Sequence, residues 1–223
     1  MKMWPLSLVR LGVFGSIILI LALACKKEVD KNVNWTGRVS NAITGEGVGG
    51  AQVTILASEV SDGTFNNSFQ ELASVKTNAT GYYSFEYERS IFVDVRIQAF
   101  ANKYFNYELK APAENFITNQ SAAHSFAMQP QAWVNVQFTN ADTTTNESYN
   151  YQHRTIYREC ASCCNDDVVS FDDNSSSFNL TCPVIADQHH VYKFDRIQNG
   201  TLHFLIDSVP THRGDTANVQ LYF

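Results

Sequence analysis

The chain has 223 residues, 16 of them basic and 22 acidic, for a formal charge of −6 at neutral pH. That balance excludes nucleic acid as a partner, because nucleic-acid recognition demands clustered Lys and Arg. Aromatic residues make up 13% of the chain, and Val, Ile, Thr, Tyr and Phe recur in short runs, a composition that favours strands over helices.

Residues 1–24 read as basic, then apolar, then small. Lys2 and Arg10 come first, the stretch 11–23 carries no charge, and Ala24 ends the segment. This is the layout of a secretory signal peptide. The uncharged run is shorter than the ~20 residues a spanning helix needs, so an uncleaved anchor is the weaker reading.

The junction Ala22-Leu23-Ala24-Cys25 resembles the lipobox of bacterial lipoproteins, in which the cysteine is acylated and the chain is cut before it. Where that family prefers Leu at the third position before the cysteine, this chain has Ala22, which leaves an ordinary cleaved signal as the alternative. The resemblance implies a mature protein that starts at a lipid-modified Cys25 and is held in the outer membrane. Each buried acyl methylene contributes about 0.8 kcal/mol to that attachment, so two chains suffice for stable anchoring. Loss of Lys2 and Arg10 takes the formal charge of the mature part from −6 to −8. Residues 25–33 are charged and lack apolar periodicity, which marks a solvated tether.

From Trp35 the pattern is strand, turn, strand. Trp35–Ser40 is followed by a Gly-rich turn through Gly45 and Gly47. Ala51–Ala57 sets Val53 and Ile55 against Gln52 and Thr54, the alternation of a half-buried strand. Gln70–Thr77, the turn 78–81, Tyr82–Tyr87 and Phe92–Phe100 come next. In the last, Val93, Val95 and Ile97 alternate with Asp94, Arg96 and Gln98. Phe105–Leu109 and His124–Met128 complete the series. Short strands at this spacing predict a β-sandwich.

Two segments here resemble the carboxypeptidase regulatory-like domain, a seven-stranded transthyretin-like sandwich. Thr36-Gly37-Arg38-Val39 with Thr44-Gly45-Glu46-Gly47-Val48-Gly49-Gly50-Ala51-Gln52-Val53 is similar to its opening. Thr77-Asn78-Ala79-Thr80-Gly81-Tyr82-Tyr83-Ser84-Phe85 is similar to its turn and following strand. The resemblance covers residues 34–130. It is read with Gly50-Ala51 as a close backbone approach and Gly81 as the turn before core aromatics. It speaks for a fold and is nearly silent on function, since such a module is grafted onto many activities.

Residues 131–223 predict a second β-sandwich-like domain. Ala132–Thr139 sets Trp133, Asn135 and Gln137 against Val134, Val136 and Phe138, and Tyr149–Tyr157 is a polar-aromatic strand. Val191–Ile197 and Leu202–Ser208 flank Asn199-Gly200, the strongest short hairpin signal. Val219–Phe223 ends the chain as a paired strand.

Four cysteines, Cys160, Cys163, Cys164 and Cys182, belong to this second domain. An exported chain meets an oxidising compartment, where four cysteines form two disulfides. Pairing Cys163 with Cys164 strains the intervening peptide, so Cys182 is expected to reach Cys160, Cys163 or Cys164. The alternative is a metal site drawing on the four cysteines with His153, His189 and His190. Asn165-Asp166-Asp167 and Asp172-Asp173-Asn174 offer oxygen ligands but lack EF-hand spacing, and read as solvated turns. Glu86 and Glu88 share a strand face and read as solvent-facing. Three tripeptides, starting at Asp142, Asp207 and Asp215, resemble a bacterial periplasmic O-glycan acceptor, which implies Thr143, Ser208 and Thr216 as modification sites.

No nucleophile elbow, zinc-protease, phosphate-loop or dinucleotide motif occurs. The sequence therefore predicts an all-β, non-catalytic outer-membrane lipoprotein without a cofactor. Its expected role is binding or scaffolding in the cell envelope, toward a protein or a glycan. In the glycan reading, Trp133, Tyr149 and Tyr151 stack on sugar rings. In a further alternative, the Cys/His cluster serves a metal-binding or enzyme-accessory role.

Overall fold

Sixteen strands account for nearly all the regular structure in the computed structural model, which describes residues 32–61, 64–65, 68–88, 90–117, 121–141, 147–154 and 160–223. Cys25, the tether up to residue 31 and Thr143 lie outside these residues. In chain order the strands are β1 (Asn32–Asn41), β2 (Gln52–Ser61), β3 (Thr64–Phe65), β4 (Gln70–Lys76), β5 (Tyr82–Glu88), β6 (Phe92–Phe100), β7 (Tyr107–Pro112), β8 (Ser121–Ala123), β9 (Phe126–Met128), β10 (Gln131–Thr139), β11 (Ser148–Arg154), β12 (Val168–Asp172), β13 (Phe178–Ile185), β14 (Gln188–Gln198), β15 (Thr201–Thr211) and β16 (Thr216–Tyr222). The one helical element among the described residues is a 3₁₀ turn at Ala113–Asn115.

The first nine strands build one sandwich. One sheet runs β5-β1-β8, with β9 also parallel to β1; the other runs β3-β2-β6-β7, with β4 on β2. β8 and β9 follow successive stretches of β1, and β3 prolongs the outer edge of β2. The nine segments thus trace seven strand paths. The period of two places Val53 and Ile55 of β2 on the same sheet face as Val95 and Ile97 of β6, with Ile55 directly opposite Ile97 and all four fully buried. Trp35 is equally buried, stacked on Phe85 at 5.8 Å and packed against Tyr87 and Phe116. Complete burial of one such large side chain contributes about 1.5–3 kcal/mol.

The turn motifs have identifiable work. Thr77 Oγ1 donates to Val48 O at 2.6 Å and accepts from Ala51 N at 2.9 Å, which ties β4 to the entry of β2. Asn78 Oδ1 accepts from the backbone N–H of Thr80 and of Tyr82 at 3.0 and 2.9 Å, so one side chain closes the turn. Gly50 corrects the expectation from sequence: its φ is +74°, and a Cβ there would meet nothing within 4 Å. Glycine is needed at that position for its left-handed backbone, not for close approach. Close approach occurs instead at Gly37, where a Cβ would stand 1.9 Å from His124 O, at Gly47, 2.1 Å from Thr80 O, and at Gly81, 2.3 Å from Val39 O.

The remaining strands build a second sandwich. Its sheets are β13-β10-β16 and β12-β11-β14-β15. Val134, Val136 and Phe138 of β10 meet Tyr149 and Tyr151 of β11, all buried. Phe138 contacts Phe178, Phe171 and Tyr151 with ring centroids 4.5–5.2 Å apart, a spacing that adds aromatic attraction to area burial.

Residues 129–131 join the two sandwiches and are bonded to both. Phe105 N donates to Gln129 O and Gln131 N to Lys103 O on one side; Ala186 N donates to Pro130 O and Gly214 N to Gln131 O on the other. The buried Asn41 donates to Asp187 Oδ2 at 3.1 Å, and Arg213 bonds the Tyr104 hydroxyl while lying over its ring. With its backbone groups used up in this way, the linker has little freedom left. Val33–Phe223 accordingly forms one compact unit.

Candidate functional site

The cysteines pair as Cys160–Cys163 and Cys164–Cys182. Pairing through Cys164 brings the 160–167 loop against β13, where Cys164 N donates to Pro183 O at 2.8 Å. Behind that bridge lies a buried polar chain. His190 Nε2 is 2.9 Å from His153 Nδ1, and His153 Nε2 is 3.3 Å from Cys182 Sγ. The Tyr151 hydroxyl also reaches His153 Nδ1 at 3.2 Å. Burial lowers both imidazoles to a pKa of about 4, and for His153 the neighbouring His190 adds to the effect. Both rings are therefore neutral at physiological pH. The tautomers that satisfy the chain have His190 Nε2–H donating to His153 Nδ1, and His153 Nε2–H pointing at the sulfur.

In this geometry the four cysteines are engaged as disulfides. His153, Cys164 and Cys182 hold their potential ligand atoms within 4.8 Å of one another, but the two sulfurs are bonded to each other. A four-thiolate site is not available to this oxidised chain. His189 does not join the cluster either. Successive strand residues face opposite sides, so His190 turns inward while His189 is exposed, 3.3 Å from Ser208 Oγ.

The row of three stacking aromatics is also corrected. Tyr149 and Tyr151 are two apart on β11, share its inner face, and are only 2% and 0% exposed; Trp133 alone of the three is open to solvent, at 41%. Trp133 belongs instead to a different surface, the outer face of the β13-β10-β16 sheet. Its rows across the strands are Pro183–Trp133–Thr216, Thr181–Asn135–Asn218 and Asn179–Gln137–Gln220, ending on Thr139–Tyr222. None of these side chains is charged. Thr181 Oγ1 donates to Asn135 Oδ1 at 2.9 Å and Asn135 Nδ2 to Asn218 Oδ1 at 3.0 Å, which fixes the amides in a ladder across the sheet. Tyr222 is 65% exposed and stands six residues along from Trp133, about 20 Å at the rise of a strand.

The other predicted positions are placed as follows. Glu86 and Glu88 are exposed on β5. Ser208 is exposed on β15, and Thr216 is exposed at the start of β16. Asp172 Oδ1 accepts from Asn174 N and Ser175 Oγ at 3.1 and 3.0 Å, and the buried Asp173 accepts from Glu147 N, so these carboxylates organise a turn. A cleft of about 450 Å³ is lined by Glu46, Asp187, His189, His212 and Arg213, among others. Asp187 is there engaged by Asn41 and by Arg213 N.

Sequence reasoning passed over two features. Glu147 is buried beneath an ion pair with Arg196 and accepts from the Tyr149 hydroxyl at 2.8 Å. β15 is exposed on both faces from Thr201 to Ser208, including Leu202, Phe204, Leu205 and Ile206.

No protein-family model matches the chain, and no curated protein does. Among solved structures it is similar to the TIE protein of Bacillus anthracis, with 10% identity, a TM-score of 0.38, and coverage of 86% of this chain and 34% of that one. A Streptococcal ancillary pilin aligns over 86% of this chain and 62% of its own, with 8% identity and a TM-score of 0.35. GBS52, the minor pilin of Streptococcus agalactiae, aligns over 85% and 94%, with 11% identity and a TM-score of 0.34. The chain thus spans about a third of the first of these and under two thirds of the second.

Proposed function

We propose that the protein is a non-catalytic binding module of the cell envelope, attached to the outer membrane through a lipid on Cys25. The attachment rests on the signal-like residues 1–24 and on the lipobox resemblance; the first sandwich is read as a carboxypeptidase regulatory-like spacer. The observation that carries the binding role is the uncharged outer face of the β13-β10-β16 sheet. In a chain with 38 charged residues, a broad sheet face composed of amides, hydroxyls and two exposed rings is a selective surface.

The ligand class this face fits is a neutral glycan. Each amide offers both donors and an acceptor, matching the mixed character of sugar hydroxyls. Trp133 and Tyr222 supply apolar ring faces for the carbohydrate C–H surface. With no charge present, the face neither attracts nor orients an ionic partner. An envelope protein is the other partner class considered for the module.

Calorimetric titration of the full chain with neutral and with anionic polysaccharides tests the reading. Binding to a neutral polymer, insensitive to salt and weakened at least about tenfold by Trp133→Ala or Tyr222→Ala, is expected for loss of ~1.4 kcal/mol or more per ring. Binding confined to anionic polymers, or unaffected by both substitutions, would remove the glycan assignment. Mass spectrometry of the N-terminal peptide tests the anchor separately: acylated Cys25 supports it, and an unmodified N-terminus refutes it.

A further inference from the structure

β15 is the edge of its sheet, its backbone laddered to β14 alone among the described strands. Edge strands that stay unpaired are usually protected by Lys, Pro, a bulge or shortness. This one is long, in regular register with β14 from Thr201 to Thr211, and carries Leu202, Phe204, Leu205 and Ile206 at 45–67% exposure. Pro210 lacks an N–H and ends the stretch able to form a second ladder, which leaves 201–209 with Leu205 at its middle.

We propose that β15 pairs with β15 of a second copy of this chain, antiparallel and across a two-fold axis at Leu205, so that two four-stranded sheets become one. Residues directly opposite in such a ladder must share a face, so the axis has to pass at a residue position, and each choice fixes every pair. Centred on Leu205, Phe204 of each copy lies opposite Ile206 of the other, and His203 lies opposite Asp207. The apolar pair occurs twice on one face. The imidazole–carboxylate pair occurs twice on the other, flanking the two Leu205 side chains. Moving the axis to Ile206 sets Leu205 against Asp207; moving it to Phe204 sets Asp207 against Thr201 and leaves His203 without a carboxylate. The strand is thus complementary to itself in one register, which is why a second copy is chosen over an unrelated strand. The pairing also sets Leu202 opposite Ser208, so a glycan on Ser208 and the dimer exclude each other. This inference stands whether or not the amide face takes a glycan.

Cysteine scanning in intact cells tests the register. Residues opposite one another lie about 4.5–5.5 Å apart at Cα, within disulfide reach. Leu205→Cys in the full chain is expected to give an oxidised dimer on a non-reducing gel, whereas Thr201→Cys and Val209→Cys singly are not. Sedimentation of the detergent-solubilised protein is expected to show a dimer for the native chain and a monomer for Phe204→Lys combined with Ile206→Lys. Both side chains are exposed, so this variant retains the fold. A native chain that sediments as a monomer overturns the proposal, as does a dimer that survives the paired lysines. Cross-linking at Thr201 in place of Leu205 overturns the register.

Discussion

His190 Nε2 meets His153 Nδ1 at 2.9 Å inside the second sandwich, and the far nitrogen of His153 faces the Cys164–Cys182 bridge. The pair has a defined pH signature. Both pKa values are lowered from 6.5 to about 4, so between these limits the unfolded chain binds protons that the folded chain does not. Stability contributed by the neutral pair is complete above pH 6.5 and is lost as pH falls toward 4, at up to about 1.4 kcal/mol per pH unit for each ring. Urea unfolding from pH 7 to 5 is expected to show this decline. His190→Leu is expected to flatten it, and an unchanged slope would count against the neutral chain.

The two disulfides are expected to differ in weight. Cys164–Cys182 closes a loop with a sequence separation of 18, and Cys160–Cys163 one of 3. Loop-closure entropy assigns about 3 kcal/mol to the former and about 1.5 kcal/mol to the latter. Paired Cys→Ser substitutions at 164 and 182 are therefore expected to lower stability about twice as much as those at 160 and 163. They also remove the sulfur facing His153. Denaturant titration of the two variants measures the difference, and equal losses would refute it.

Period-two alternation made the strand faces legible. Val53 and Ile55 point inward and Trp133 outward, as the pattern implies. The same rule bears on His189-His190: adjacent residues on a strand face opposite ways, so extending the 191–197 strand back to Gln188 would have turned one ring inward. Which face of β11 is buried depends on the opposing sheet, and Tyr149 and Tyr151 carry no local mark of it. β12 and β13 escaped because acidic turns surround the one and Pro183 interrupts the other. β15 is the reverse case. Leu202–Ser208 reads as core by composition, yet among the described residues no strand opposes it and it is exposed.

Glycines in the turn motifs separate by mechanism. Gly50 has a positive φ and open space around it, so Gly50→Ala is expected to cost about 1–2 kcal/mol, the left-handed penalty alone. At Gly37 the added carbon would overlap a backbone carbonyl, and at Gly81 it would do so with φ at +84°. Neither obstacle is a flexible side chain. Gly37→Ala and Gly81→Ala are expected to cost about 3 kcal/mol or more each, in the range of severe backbone and packing lesions. Thermal unfolding of the three variants ranks them, and a Gly81→Ala loss as small as that of Gly50→Ala would contradict the close approach to Val39.

Glu147 and Arg196 give the sharpest test of the second sandwich. The Glu147 side chain is 1% exposed, whereas that of Arg196 is 44% exposed, so the pair is buried on one side only. Removing the exposed partner takes the guanidinium away from a buried carboxylate that also accepts from the Tyr149 hydroxyl. Arg196→Ala is therefore expected to cost about 3 kcal/mol, as for breaking a buried pair from one end. Glu147→Gln keeps a carbonyl acceptor for the Tyr149 hydroxyl, removes the buried charge, and releases an arginine that water can solvate. Its expected cost is about half as large. The asymmetry follows from burial and not from the pair's attraction, which both substitutions abolish. Equal losses in chemical denaturation would show that Coulombic attraction, not desolvation of Glu147, sets the cost of breaking the pair.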